Sequence, residues 1–295
     1  MHVMMKIFFL LRLLLFTQLL FGQKIKNEFF ALHNIIRGDS IYNTFEKQVQ
    51  LIKSLGFDGI EINQMESFEG MKAALDKFVF KGAYLYVKLA LNEPIDERLE
   101  STISLLKGTK TIIAPYIISN LKNDQPNIRT GDEQVVSMLQ QVSNWAKKAN
   151  LQVAIYPHFG FYVAKTDHAL ALVKQINRKN VGLSFNVCHW LAGTGSLERA
   201  SLKNQVKELM PFLKMITISG ANDVITDKKT IWDDYILPLG EGSFDTYALL
   251  KYLLKDLNYK NPIGVQCYNI KGNKVLLARH TIKVWGVYKA RLLSE

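Results

Sequence analysis

Cysteine is scarce in this chain: Cys188 and Cys267 are the only two in 295 residues. A disulfide-stapled scaffold is therefore excluded, and stability has to come from a buried core. Strand parity sets the two thiols on opposite faces of their predicted strands, so they are expected not to pair. Proline is also sparse, seven in all, and no Pro-, Gly- or Ser-rich linker divides the chain into domains. There is no GxGxxG after a first strand, no P-loop and no HExxH, so nucleotide-binding and zinc-protease chemistry lack their usual sequence support. Basic residues outnumber acidic ones, 37 to 26, for a formal net charge of +11. The lysines are nevertheless scattered singly along helical segments. Without an arginine-rich stripe interleaved with aromatics, nucleic acid is not expected as a partner.

Long apolar runs are missing too, except at the start. There Lys6 opens a nearly unbroken apolar stretch from Ile7 to Phe21, interrupted by Arg12 and closed by Gly22 and Gln23. It is shorter than the roughly 20 apolar residues a membrane span needs. It reads as an export signal over residues 1–22, cut near Gly22 or Gln23, leaving 23–295 as an exported, periplasmic or secreted protein with no stable membrane anchor. That remainder suits one large α/β barrel better than two small domains.

From residue 28 onward short β-branched runs alternate with longer helical patterns, the sequence form of repeated βα units around a parallel sheet. Strands are predicted at Phe29 to Asn34, Gly59 to Asn63, Tyr84 to Leu91, Thr111 to Ile117, Gln152 to His158, Val181 to Val187, Met215 to Ser219 and Ile263 to Tyr268. Eight strands close a single (β/α)8 TIM barrel. Helices are predicted between them, for example on Phe45, Val49, Ile52 and Leu55, started at Asn43 or Thr44 and stopped at Gly56. A closing helix is expected from about Val275 to Leu292. Long loops follow the fourth and seventh strands, from Ser119 to Asp132 and from Ser219 to Ser243. Gly240-Glu241-Gly242 is expected to form the turn into the seventh helix.

Four segments carry a resemblance. Leu55-Gly56-Phe57-Asp58-Gly59-Ile60-Glu61-Ile62 resembles the second strand of the sugar phosphate isomerase and epimerase superfamily, the xylose-isomerase-like barrels. Val181-Gly182-Leu183-Ser184-Phe185-Asn186-Val187-Cys188-His189 resembles its sixth strand, Leu239-Gly240-Glu241-Gly242 its turn before a helix, and Ile263-Gly264-Val265-Gln266 its eighth. The resemblance implies a divalent metal held by Glu, Asp, His and Glu on strands five to eight. This chain departs at each position, with Tyr156 (and His158 two residues on), Asn186, Thr217 or Ser219, and Gln266. Hard cations need carboxylate oxygens to offset their charge. A family-type metal site is therefore not expected and no other cofactor is implied, the alternative being zinc on His158 and His189 with a third ligand, which two distant histidines without a carboxylate support weakly.

What remains at the strand ends is neutral, polar and aromatic: Asn34, Tyr156, Asn186, Thr217, Gln266 and Tyr268 as binding residues, with His158 and His189 beside them. Amides and phenols offer paired donors and acceptors to sugar hydroxyls, and ring faces stack on a pyranose. A small, uncharged carbohydrate is the expected partner. Proton transfer next to a carbonyl, in isomerisation, epimerisation or β-elimination from a keto-sugar, needs a base and a group to hold the enolate. His158, His189, Glu61 and Glu241 are the candidate acids and bases, and Lys88 the candidate enolate partner. The alternative is a carbohydrate-binding barrel without catalysis. The oligomeric state is left open.

Overall fold

The computed structural model describes residues 25–119, 129–226 and 230–295. The expected export signal and the middle of the loop after the fourth strand lie outside the described residues. No helix among those described is long and apolar enough to cross a membrane.

Eight parallel strands form the sheet: β1 (Phe29–Ala31), β2 (Gly59–Ile60), β3 (Tyr84–Ala90), β4 (Ile112–Ile118), β5 (Val153–Ile155), β6 (Val181–Asn186), β7 (Leu213–Ile218) and β8 (Ile263–Val265). Their spatial order is β2-β1-β8-β7-β6-β5-β4-β3. The remaining seam, between β2 and β3, is bridged at Ile60 with Gly82 and at Asn63 with Leu85. Ala83 N–H donates to Ile60 O at 2.8 Å and Tyr86 N–H to Asn63 O at 2.8 Å. The sheet thus curls into a (β/α)8 TIM barrel.

The helices follow in the predicted order: α1 (Phe45–Ser54), α2 (Phe68–Lys77), α3 (Leu99–Leu105), α4 (Asp132–Lys148), α5 (Thr166–Ile176), α6 (Val187–Gly193), α7 (Leu202–Leu209), α8 (Trp232–Tyr235), α9 (Thr246–Lys251) and α10 (Lys274–Ser294). Helix α1 starts where its sequence signal lies, the Thr44 hydroxyl accepting from Lys47 N–H, which satisfies one of the donors a helix start leaves open. It stops at Gly56, whose φ of +94° an L side chain rarely adopts. Two short helices stand outside the repeat. α6 begins where strand six was expected to continue through Val187, so Cys188 lies on a helix. Both thiols are free and buried.

Strand alternation divides the core in two. One set of side chains, among them Phe29, Leu85, Val87, Ile113 and Ile155, packs outward against the helices. The other, Phe30, Leu32, Tyr84, Ala114, Tyr116, Ala154, Tyr156 and Met215, fills the lumen. Gly264 also faces the lumen, and a Cβ there would sit 2.4 Å from the Phe30 ring. The ring takes the space the glycine leaves. Below the strands, Asn27 Nδ2 donates to Tyr259 O at 3.0 Å and to Asn261 O at 2.9 Å. Phe29 stacks on Trp285 of α10, centroids 4.4 Å apart, tying the first strand to the last helix.

Candidate functional site

At the C-terminal ends of the strands a cavity of about 280 Å³ opens above the lumen core. A larger one, about 590 Å³, lies outside the barrel between α5 and α7. The central cavity is the candidate site, because there side chains from β3 and from just past the ends of β2, β5 and β8 converge and titratable groups are buried. Its wall includes Glu61, Tyr84, Tyr86, Tyr156, His158 and His189.

Glu61 follows β2 and alternation turns it inward. Its carboxylate accepts from His33 N–H at 2.8 Å and from Tyr84 O–H at 2.8 Å. Burial raises its pKa, against the lowering effect of those two donors. His33 lies behind it in a single 3₁₀ turn after β1, its Nε2 2.8 Å from Gln48 Oε1 and its Nδ1 without a partner.

Across the cavity His158 and His189 lie ring against ring, centroids 3.9 Å apart. His158 also stacks on Phe161 at 3.9 Å and 13°, and its Nδ1 lies 2.9 Å from Phe159 O. Burial lowers its pKa to about 4. His189, on the first turn of α6, is pushed well below the ordinary histidine value by burial and then by His158. Both rings are therefore uncharged at neutral pH and able to accept a proton. His189 Nδ1 is buried without a partner. Trp232 of α8 stands edge-on to His189 at 5.2 Å and lines the same cavity.

The third wall comes from β8 and β1. Gln266 Oε1 accepts from Asn34 Nδ2 and from the backbone N–H groups of Cys267 and Tyr268, both at 3.0 Å. With its oxygen used in this way, its amide has an Nε2 with no partner among the described residues, available as a donor at the cavity wall. Tyr268, about half exposed, stands at the mouth.

Other residues named from the sequence stand elsewhere. Asn186 does not line this cavity: it is buried, donating to Pro157 O at 3.1 Å and Ser184 Oγ at 3.0 Å, and accepting from Thr217 Oγ1 at 3.0 Å. A buried amide needs partners for its donor and acceptor groups, and the neighbouring strands supply them. Thr217 is likewise below the cavity floor. Lys88 shares the inward parity of Tyr84 and Tyr86 but lies beyond the cavity, paired with Glu93 at 3.3 Å. Glu241 is exposed on its turn, outside the cavity. That turn does not start the helix directly, since α9 begins at Thr246, capped by Asp245. Tyr84, Tyr86, Trp232, Asn63 and Gln64 line the cavity without having been singled out. For the two tyrosines a signal existed, their alternation with Leu85 and Val87.

Among the described residues no three His, Cys, Asp or Glu side chains gather closely enough to hold a metal ion. At the four positions where the resemblance places ligands, Asn186 and Thr217 bond to each other, Gln266 Oε1 already accepts three donors, and Tyr156 is held protonated by burial. This donor set does not fit a hard divalent cation.

Fold and cavity together define a (β/α)8 barrel with a small cavity of polar and aromatic lining at the C-terminal ends of its strands. Residues 49–286 match the xylose isomerase-like TIM barrel family, and the chain belongs to it. It is similar to an inosose isomerase of Bacillus licheniformis, 25% identical over 258 residues that cover 80% of this chain and 88% of the relative. Among solved structures, it superposes on the IolI protein with a bound zinc atom at a TM-score of 0.65 and 17% identity, over 90% of this chain and 98% of that one. It also superposes on the 3-keto-D-glucoside 4-epimerase of E. coli at a TM-score of 0.65 and 16% identity, over 89% of this chain and 100% of that one. At those identities the structures establish the fold alone.

Proposed function

We propose that the protein moves a proton at the carbon next to the carbonyl of a neutral sugar or keto-sugar, as a sugar isomerase or epimerase does, without a divalent metal. The observation that carries this reading is the pairing of uncharged His158 and His189 with buried Glu61 around one cavity. An unprotonated imidazole takes the proton from carbon, and the electron pair of the C–H bond moves into the enolate. Gln266 Nε2 is the donor on hand for the developing oxygen charge. Glu61, its pKa raised, serves as the second proton carrier. The isomerase and epimerase relatives support this class of reaction, and the apolar N-terminal run supports export, where free sugars and glycosides are met more than sugar phosphates.

The test is proton exchange. Incubated with neutral ketoses and keto-glycosides in heavy water, the protein is expected to erase the C–H signal beside the carbonyl in the proton NMR spectrum. His158→Gln is expected to slow that exchange by about 10²-fold or more while leaving the Tm nearly unchanged. Binding without any exchange would overturn catalysis. It would favour a carbohydrate-binding barrel, a reading that the mutual bonding of Asn186 and Thr217 supports, since their polar groups are spent on structure.

A further inference from the structure

A second cavity of about 270 Å³ adjoins the central one at the barrel mouth, between the segments that follow β2 and β3. The two have nearly the same volume and share a wall, since Gln64 and Tyr86 line both. Tyr86 stacks on Tyr116, centroids 4.1 Å apart and planes within 22°. Tyr116 faces only the outer cavity, and its hydroxyl lies 3.5 Å from Gln64 Nε2. The stacked pair is therefore a ridge separating two compartments, each large enough for one sugar ring.

The outer compartment differs in charge. Glu66, Glu93 and Asp96 line it, Glu93 paired with Lys88 at 3.3 Å, and Asp96 and Glu66 with Arg98 at 2.5 and 3.8 Å. Carboxylates and the ammonium group hydrogen-bond readily to hydroxyls. Both cations are already paired with carboxylates and one negative charge is left over, so an anionic group, whether phosphate or uronate, finds no unpaired cation among the described residues of this compartment.

We propose that the ligand is a neutral glycoside or disaccharide, with one ring in the central cavity and the second across the Tyr86–Tyr116 ridge in the outer one. This rests on the reading of the central cavity as a site for a neutral sugar. The inner compartment takes the ring that reacts. The outer one takes the second ring, which does not react, and sets a preference for ligands two units long.

Isothermal titration calorimetry of the full chain with glucose, methyl β-glucoside, cellobiose and maltose tests it, with glucose 6-phosphate as the charged probe. At least one disaccharide is expected to bind about tenfold or more tightly than either single-ring sugar. Glu66→Trp, an exposed position where a bulky ring fills the outer compartment, is expected to abolish that gain while changing glucose affinity less than about twofold. Tyr116→Ala, with folding checked by circular dichroism, is expected to reduce it as well. Single-ring binding with no gain from a second ring overturns the inference alone. A gain that survives both variants overturns the assigned place of the second ring. No binding by any of the four neutral sugars overturns the reading of the central cavity, and this inference with it.

Discussion

His33 is 2% exposed, and taking its imidazole out of water is the main reason its pKa falls from 6.5 to about 4. In the unfolded chain the same ring titrates near 6.5, so between those values the unfolded state binds a proton that the folded state refuses. The resulting stability is full above the unfolded value and is lost as pH falls towards the folded one, amounting to about 3 kcal/mol between pH 7 and pH 4. Thermal melts across that range are expected to show a decline that becomes shallower in His33→Gln but does not vanish, because burial shifts His158 and His189 in the same direction. Equal slopes would remove His33 from the account. His158 is shifted in the same direction, so the acid limb of any catalytic profile it governs belongs near pH 4, well below the ordinary histidine range. Residue identity was legible in the sequence to the extent that alternation was. Tyr156, His158 and Gln266 were placed at the strand ends by the resemblance together with parity, Glu61 by its place on the second strand, and all four line the cavity. Tyr84 and Tyr86 alternate with Leu85 and Val87 and so share one face of β3, but alternation alone does not say which face is the lumen. Asn186 was read as a site residue, but nothing in a sequence tells a ligand-binding amide from one bonded to the next strand.

At the scale of elements, the two short helices outside the repeat each add one residue to the cavity wall. α6 carries His189, and α8 carries Trp232. The loop bearing α8 is knotted around Asp234, whose carboxylate accepts from Asn222 Nδ2 at 2.7 Å and from Thr226 N–H at 2.8 Å. Asp234→Ala leaves these donors unmet, a loss of about 1–3 kcal/mol. Amide exchange over residues 222–226 is expected to quicken and sugar binding to weaken, while the β3–β4 ladder keeps its protection. Unchanged exchange in that loop would show that the knot is not what holds it. Neither helix was read from the sequence. Val187 to Gly193 is a short apolar run, for which periodicity does not separate strand from helix. Trp232–Tyr235 is only four residues long, too short to show a period.

For the whole molecule, the eight strands were legible because each is an apolar run bounded by turn residues and followed by a helical pattern. Their ends were overdrawn by a few residues where the chain leaves the ladder to build the site. At the positions where the resemblance places metal ligands the side chains are neutral, Asn186 and Thr217 bonding to each other and Gln266 to Asn34. Millimolar Mn²⁺ or Mg²⁺ is therefore expected to leave the Tm unchanged, and elemental analysis to find neither ion in stoichiometric amount. Stabilisation by manganese that a chelator reverses would contradict this.

The tie between the two ends of the barrel governs how the molecule comes into being. Asn27 reaches Asn261 across 234 residues of sequence, β1 pairs with β8, and Phe29 needs the Trp285 ring of the final helix. A ribosome delivers those partners last. Until then the first strand keeps one raw edge, and neighbouring strands can form a sheet but not a cylinder. Such distant pairing makes folding slow and leaves an edge open to other chains. The nascent chain has to be kept from aggregating until the segment from β8 to α10 emerges.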